Sequence, residues 1–230
     1  MQSVLYPIYF MKHLFFWLFV IFFFTACKKA GDTSNSSPNS NFQNNMGTGC
    51  KACEYAPLCD GSYFSYKDTS YQLPVTYYTD TLRSLGDTLL NGVTYKMTRR
   101  ISPRYSQIEY TNCDNGVYSF ISRSLSSPTP IGKPLIYLKA NAPVGSSWIE
   151  TVDNNKLTYT IEGKGLTIRV NNKDYSDVIK VKQIFEAPNS VATIYWYYSK
   201  GIGQINYHFA SYNSDPSFYH YFQLQSYFIP

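Results

Sequence analysis

Two hydrophobic patterns divide this chain. From residue 14 to 24 the apolar positions are continuous, reading Leu-Phe-Phe-Trp-Leu-Phe-Val-Ile-Phe-Phe-Phe. Past Gly61 they alternate with polar ones instead. Val93, Tyr95 and Met97 alternate with Thr94, Lys96 and Thr98, and Leu157, Tyr159 and Ile161 with Thr158, Thr160 and Glu162. Leu166, Ile168 and Val170 alternate with Thr167 and Arg169, and Ile179 and Val181 with Lys180 and Lys182. Period two marks a half-buried strand, whereas a helix spaces its apolar residues three or four apart, which no stretch of a dozen residues does here. The spacing predicts strands over 62–67, 74–80, 86–90, 93–100, 106–112, 117–123, 134–139, 147–152, 157–162, 165–170, 177–186, 191–199, 202–210 and 217–228.

Turn chemistry punctuates these runs. Asn91-Gly92, Asp114-Asn115-Gly116 and Asn171-Asn172 accept the positive φ of tight hairpins, and Gly163-Lys164-Gly165 and Gly201-Ile202-Gly203 read as glycine-paired hairpin turns. Asn213-Ser214-Asp215-Pro216 is a looser turn, and Ser124 to Lys133, with Pro128 and Pro130, the largest internal loop. Short connections make neighbouring strands antiparallel. The expected body, residues 61–230, is therefore one all-β domain, an antiparallel meander with one apolar face. It must curl into a half-barrel, a barrel or a two-sheet sandwich to hide that face.

The eleven-residue apolar run is too short to span a bilayer, which takes ~20 residues, but it suits the core of a signal peptide. Residues 1–26 read as that signal, with Met11 the expected start and 1–10 an upstream extension. Phe24-Thr25-Ala26-Cys27 resembles the lipobox of bacterial lipoproteins, with Phe24 where Leu is usual. The resemblance implies cleavage before Cys27, acylation of that cysteine and anchorage on a membrane, since several acyl chains together hold a domain almost irreversibly. Residues 27–49 follow as lipidated cysteine and tether. Lys28 to Gly49 holds only Ala30, Phe42 and Met46 as apolar residues, and a flexible segment of that length reaches roughly 25 Å. Lys28 and Lys29 stand where some surface-displayed lipoproteins carry acidic residues, which points to a periplasm-facing outer-membrane anchor.

Cys50, Cys53, Cys59 and Cys113 remain, the first three within an entry segment, residues 50–60. In an exported chain four cysteines read as two disulfides. A redox pair at Cys50-Lys51-Ala52-Cys53, or a zinc knuckle, are the sharper alternatives. A bridge within Cys50–Cys53 would close a small strained ring. Both are expected to pair outward, to Cys59 and Cys113 in an order the sequence leaves open.

Composition narrows the chemistry. Hydrophobic residues make up 44 % of the chain, charged ones 15 % and aromatics 18 %, with 23 tyrosines. That excludes a disordered polyelectrolyte, a coiled coil and a collagen. The net charge of +5 is dispersed in single residues and Lys or Arg pairs, so nucleic acid is not an expected partner. No Gly-x-Ser-x-Gly, His-Glu-x-x-His or Walker-type loop occurs, and no cofactor or enzymatic activity is expected. His208 and His220 could meet on adjacent strands around a metal, though two strand histidines is the plainer reading. Glu150 with Asp153, or Glu162 with Glu186, could form a glycosidase-like pair, though a solvated strand face is the default reading. Asp80-Thr81-Leu82 and Asp87-Thr88-Leu89 are similar to an O-glycosylation signal of some envelope bacteria.

The aromatic run is the expected contact surface. Ile194-Tyr195-Trp196-Tyr197-Tyr198 places rings on both strand faces, and Tyr207 follows on the next strand. Tyr195, Trp196, Tyr197, Tyr198 and Tyr207 are the candidate ligand residues, whether for a glycan stacked on flat rings, a lipid in a concavity, or an envelope protein. The segments Cys53 to Ser62, Pro143-Val144-Gly145-Ser146-Ser147-Trp148 and Tyr197-Tyr198-Ser199-Lys200-Gly201-Ile202-Gly203 look like recurring parts of envelope lipoproteins with no characterised activity. The last is similar to a turn in lipoproteins with a curved antiparallel sheet. That likeness implies a carrier-like body on a membrane anchor, with a binding or structural role.

Overall fold

The computed structural model of this protein describes residues 53–70, 76–124, 133–213 and 220–230. The signal segment, Cys27, the tether, Cys50, most of the 124–133 loop and most of the 213–216 turn lie outside the described residues. All described residues belong to one compact unit.

That unit is built of twelve strands: β1 (Tyr63–Ser70), β2 (Thr76–Leu90), β3 (Val93–Ile101), β4 (Ser106–Asp114), β5 (Val117–Ser124), β6 (Leu135–Lys139), β7 (Ser147–Val152), β8 (Asn155–Val170), β9 (Lys173–Ala187), β10 (Ser190–Ser199), β11 (Gly203–Tyr212) and β12 (His220–Phe228). All twelve form one sheet in the order β6-β5-β4-β3-β2-β1-β12-β11-β10-β9-β8-β7. The first and last strands pair with each other, Phe64 opposite Tyr227 and Asp68 opposite Phe222. The two free edges are therefore β6 and β7, which are consecutive in sequence.

A twisted sheet this wide curls on itself. Its edges come round to meet, for Trp148 of β7 donates its indole N–H to the Ile136 carbonyl of β6 at 2.9 Å. Leu135 and Leu138 of β6 share one buried cluster with Trp148, Tyr159 and Ile161 from the far side of the seam. The result is a nearly closed barrel, and a single sheet excludes the sandwich.

Three hairpins turn where asparagine and glycine predicted them. Asn91-Gly92, Asn115-Gly116 and Asn171-Asn172 all have positive φ. Two predicted breaks are bulges instead. The runs 74–80 and 86–90 are one strand, β2, which takes a register shift between Ser84 and Gly86, the latter at φ 103°. Gly163-Lys164-Gly165 likewise does not reverse the chain; it lies within β8, where the pairing to β9 slips on either side of Gly163 and Gly165 adopts φ 66°. Glycine supplies the left-handed conformation a bulge needs as readily as the one a turn needs, so the sequence alone does not separate the two.

The apolar face points inward only over part of the wall. On β8 and β9, Leu157, Tyr159, Ile161, Ile179 and Val181 are buried, as alternation predicts. On β3 and β4 the sense is inverted. Gln107, Glu109 and Thr111 face the interior, while Tyr95, Met97, Ile108 and Tyr110 form a separate cluster with Ile121 on the outer side.

One end of the barrel is closed by a strap, residues 53–62. Gly201 N–H donates to the Glu54 carbonyl at 2.6 Å, the Tyr55 N–H bonds the Tyr118 hydroxyl at 3.1 Å, and Ser84 N–H reaches the Ser62 carbonyl at 2.9 Å. Leu58 joins the buried cluster that holds Phe64 and Leu224. The β8–β9 hairpin tip reaches the middle of β12, Asn171 donating its amide to the Leu224 carbonyl at 2.7 Å. A disulfide from Cys53 to Cys113 of β4, with a Cα–Cα distance of 5.9 Å, fixes the start of the strap across 60 residues of sequence. Cys59 is disulfide-bonded as well, so a zinc knuckle using Cys53, Cys59 and Cys113, and a redox pair at Cys50–Cys53, both give way to structural bridges. Because a loop closed by a bridge restricts the unfolded chain, Cys53→Ser with Cys113→Ser is expected to cost about 2–4 kcal/mol in urea unfolding. An unchanged midpoint would show that the strap holds by packing alone.

Candidate functional site: an amphipathic cavity inside the barrel

The barrel encloses a cavity of about 550 Å³, within the usual range of small-molecule sites. Its wall has two chemistries. Strands β1 to β4 and β12 contribute buried charge; β5 to β11 contribute mainly rings.

On the charged side, Arg100 of β3 and Glu109 of β4 form a two-pronged pair, Nε to Oε1 at 2.7 Å and Nη2 to Oε2 at 3.3 Å. Gln107 adds its amide to the same Oε1 at 2.7 Å. Their side chains are 15 % and 14 % exposed, that exposure being to the cavity they line. Burial alone would raise the Glu109 carboxyl, but the Arg100 charge, its hydrogen bonds and the Gln107 amide hold it below the ordinary value. Burial would likewise lower Arg100, and the Glu109 charge outweighs it. The guanidinium also lies 5.4 Å from the centre of the Phe222 ring, which stacks on Tyr66 at 4.5 Å.

Two further carboxylates line this wall. Asp68 of β1 bonds His220 Nε2 of β12. Asp80 of β2 is 1 % exposed; its Oδ2 accepts from the Tyr105 hydroxyl at 3.4 Å, and its Oδ1 has no hydrogen-bond partner among the described residues. Burial first, with help from Asp80 and Glu109 and against Arg100, pushes the Tyr105 phenol up to about 12.

On the aromatic side, Trp196 donates its indole N–H to Gln183 Oε1 at 2.6 Å. The rings of Tyr137 and Tyr198 lie 5.6 Å apart, and Phe120 meets Tyr137 edge-on at 5.9 Å. The hydroxyls of Tyr137, Tyr159, Tyr198 and Tyr207 have no hydrogen-bond partner among the described residues, and all four side chains line the cavity. Burial raises each of these phenols, so they stay protonated and able to donate.

The five predicted ligand residues therefore separate. Trp196, Tyr198 and Tyr207 line the cavity. Tyr195 and Tyr197 alternate with them on β10 and face the other way. Lys180 stands 4.2 Å from the Tyr195 ring centre. His208 stacks between Tyr197 at 5.9 Å and Tyr221 at 5.4 Å. Burial first, and Lys180 second, lower the His208 imidazole. These five residues thus do not make one continuous platform for a glycan.

Other predicted chemistry also separates. Register puts His208 opposite Tyr221 and Phe209 opposite His220, so the two histidines occupy opposite faces and cannot share a metal. Glu162 pairs with Lys180 at 2.7 Å and Glu186 with Lys156 at 2.8 Å, each an ion pair across neighbouring strands rather than half of a catalytic dyad. Asp153 sits at positive φ in the β7–β8 turn. Asp80, first in one predicted glycosylation triplet, is interior. Among the described residues no group of three or more His, Cys, Asp or Glu could hold a metal. Asp68, Asp80, Arg100, Gln107 and Glu109 escape sequence reasoning because an alternating charge is read as solvated. The one signal was Arg99-Arg100, where one arginine of an adjacent pair must point inward on any strand.

Fold and site together define a nearly closed antiparallel β-barrel with a ligand-sized interior, charged on one wall and aromatic on the other. No protein-family model matches the chain, and no curated protein matches it. Among solved structures it is similar to a protein from Bacteroides fragilis NCTC 9343, assigned as exported and given a YmcC-like fold. That match has a TM-score of 0.49 and 12 % identity over 74 % of this chain and 96 % of the other. It is also similar to a protein from Parabacteroides distasonis ATCC 8503 assigned as a lipoprotein, with a TM-score of 0.41 and 10 % identity over 74 % and 96 %. Likeness at this level carries nothing further to the present chain.

Proposed function

We propose that this protein is a lipid-anchored binding protein of the cell envelope that holds a small amphiphilic molecule inside its barrel and does not transform it. The cavity carries the reading. Four protonated phenols whose hydroxyls have no hydrogen-bond partner among the described residues line it beside the aromatic rings of Trp196, Phe120 and Phe185, and a site that presents unused donors next to flat apolar surface suits a ligand with both kinds of surface. The sequence supports the anchor, through the lipobox-like run that ends at Cys27, and Lys28-Lys29 favours a periplasm-facing outer-membrane site.

One experiment tests both halves. Native mass spectrometry of protein purified from its own host is expected to show an acylated Cys27 at the N-terminus and a co-purifying small molecule. Added neutral naphthylamine dye should displace that molecule and brighten. Unacylated, freely secreted protein would remove the anchor, and protein that neither carries a molecule nor takes up dye would remove the binding role.

A further inference from the structure

The interior carries more acid than base, which deepens the binding reading and rests on it. The charged side chains that line the cavity are Asp68, Asp80, Glu109, Arg100 and His220. Arg100 is engaged by Glu109 through both prongs, and His220 by Asp68. Asp80 forms no ion pair among the described residues; Arg104 is the cation that feels its charge, without a hydrogen bond to it. The Asp80 side chain is 1 % exposed, Oδ1 has no hydrogen-bond partner among the described residues, and Oδ2 has only the long bond from Tyr105. A buried carboxylate oxygen left so poorly satisfied favours any donor brought to it.

The surroundings say which donor. Asp80 lies opposite Tyr66 in the β1–β2 register and Asp68 is two residues further along β1, so the two carboxylates are diagonal neighbours on one face. The nearby rings already accept positive charge, as Arg100 over Phe222 shows. Tyr207 stands edge-on to both Phe222 and His220, at 6.4 and 5.7 Å. Arg104, in the β3–β4 connection, is not among the lining residues; it lies 4.1 Å from the Tyr78 ring centre.

The geometry points to an organic ammonium ion as the head group this cavity takes, its N–H donors on Asp80 and its apolar body along Phe120, Trp196 and Tyr198. Tyr105, 46 % exposed and held to Asp80 by the weak 3.4 Å bond, is the group that gives way as the ammonium reaches the carboxylate. Carboxylate, phosphate and sulfate heads are disfavoured, because Arg100 is already neutralised and the remaining charge on this wall is negative.

Three ligands with one tail provide the test. The chain from Lys28 onward, which contains the whole barrel and strap, is titrated at pH 7 with decylamine, decanol and decanoate while displacement of the naphthylamine dye is read. Decylamine is expected to bind about tenfold more tightly than decanol, and decanoate more weakly than either. Asp80→Asn is expected to reduce decylamine to the level of decanol and leave decanol unchanged. Decanoate binding as tightly as decylamine, or an amine advantage that survives Asp80→Asn in folded protein, overturns the assignment. Should that variant fail to fold, Asp68→Asn replaces it, with part of the amine advantage expected to disappear and its full retention counting against the idea. If none of the three displaces the dye, the binding reading itself falls. If decanol binds and decylamine is no better, only the ammonium head group does.

Discussion

Trp148→Ala is expected to destabilise the barrel by about 3–5 kcal/mol, the usual cost of removing a large buried aromatic. Trp148 is 7 % exposed, stacks on Tyr159 at 5.3 Å and 9°, and closes the seam through its bond to the Ile136 carbonyl. Edge strands have no ladder on one side, so this one side chain stands in for the pairing that β6 and β7 do not make. Trp148→Phe separates the two contributions. It keeps an aromatic ring against Tyr159 and loses the indole donor, at an expected cost of about 1 kcal/mol. Urea midpoints give the sizes, and amide hydrogen exchange shows the place. In Trp148→Ala the amides of β6 and β7 should exchange faster relative to those of β9 and β10. Uniform acceleration across the sheet would show that the seam is not a separate weak point.

Arg100→Met is the second large change, expected to cost about 3–5 kcal/mol at pH 7, because it strands the Glu109 carboxylate in the interior. Adding Glu109→Leu should restore much of that loss, since a buried ion pair is often no more stabilising than well-packed apolar groups of similar size. A double variant as unstable as Arg100→Met alone would contradict this account. Acid should act on the same pair. The folded-state value of Glu109 lies below its ordinary 4.5. Its contribution is therefore fully present above the ordinary value and declines as pH falls through the lower, folded one. The wild type should lose stability over that acidic range more steeply than the double variant, with equal slopes as the contrary result.

Much of the fold could be read from alternation, and the exceptions share one cause. β9 reads correctly because Ile179 and Val181 face a core of ordinary kind while Lys180 and Lys182 face away. β4 reads in reverse. Ile108 and Tyr110 pack outside with Tyr95 and Ile121, and Gln107 and Glu109 turn inward. A barrel with a polar interior needs this inversion over part of its wall, and period two reports that two faces differ without saying which is inside. The Gly163–Gly165 run failed as a break for a related reason, since positive φ serves a bulge as well as a hairpin. At the site, the aromatic run Tyr195 to Tyr198 located the right strand, and alternation then sent Trp196 and Tyr198 into the cavity and their neighbours out. Asp80 gave no sign, because its isolation arises from what surrounds it in three dimensions and not from any local sequence feature.

The bridge between Cys53 and Cys113 also governs how a pull on the N-terminal side would pass through the molecule. Such tension would arrive at Cys53 and cross directly through sulfur into β4. Part of it would also enter the strap at Cys59, which is bridged as well, so the β1–β12 ladder that joins the two halves of the sheet would not bear the load alone. A body hung from a membrane by that side would bear drag along a covalent path into the middle of its wall, and its first strand would not be peeled away.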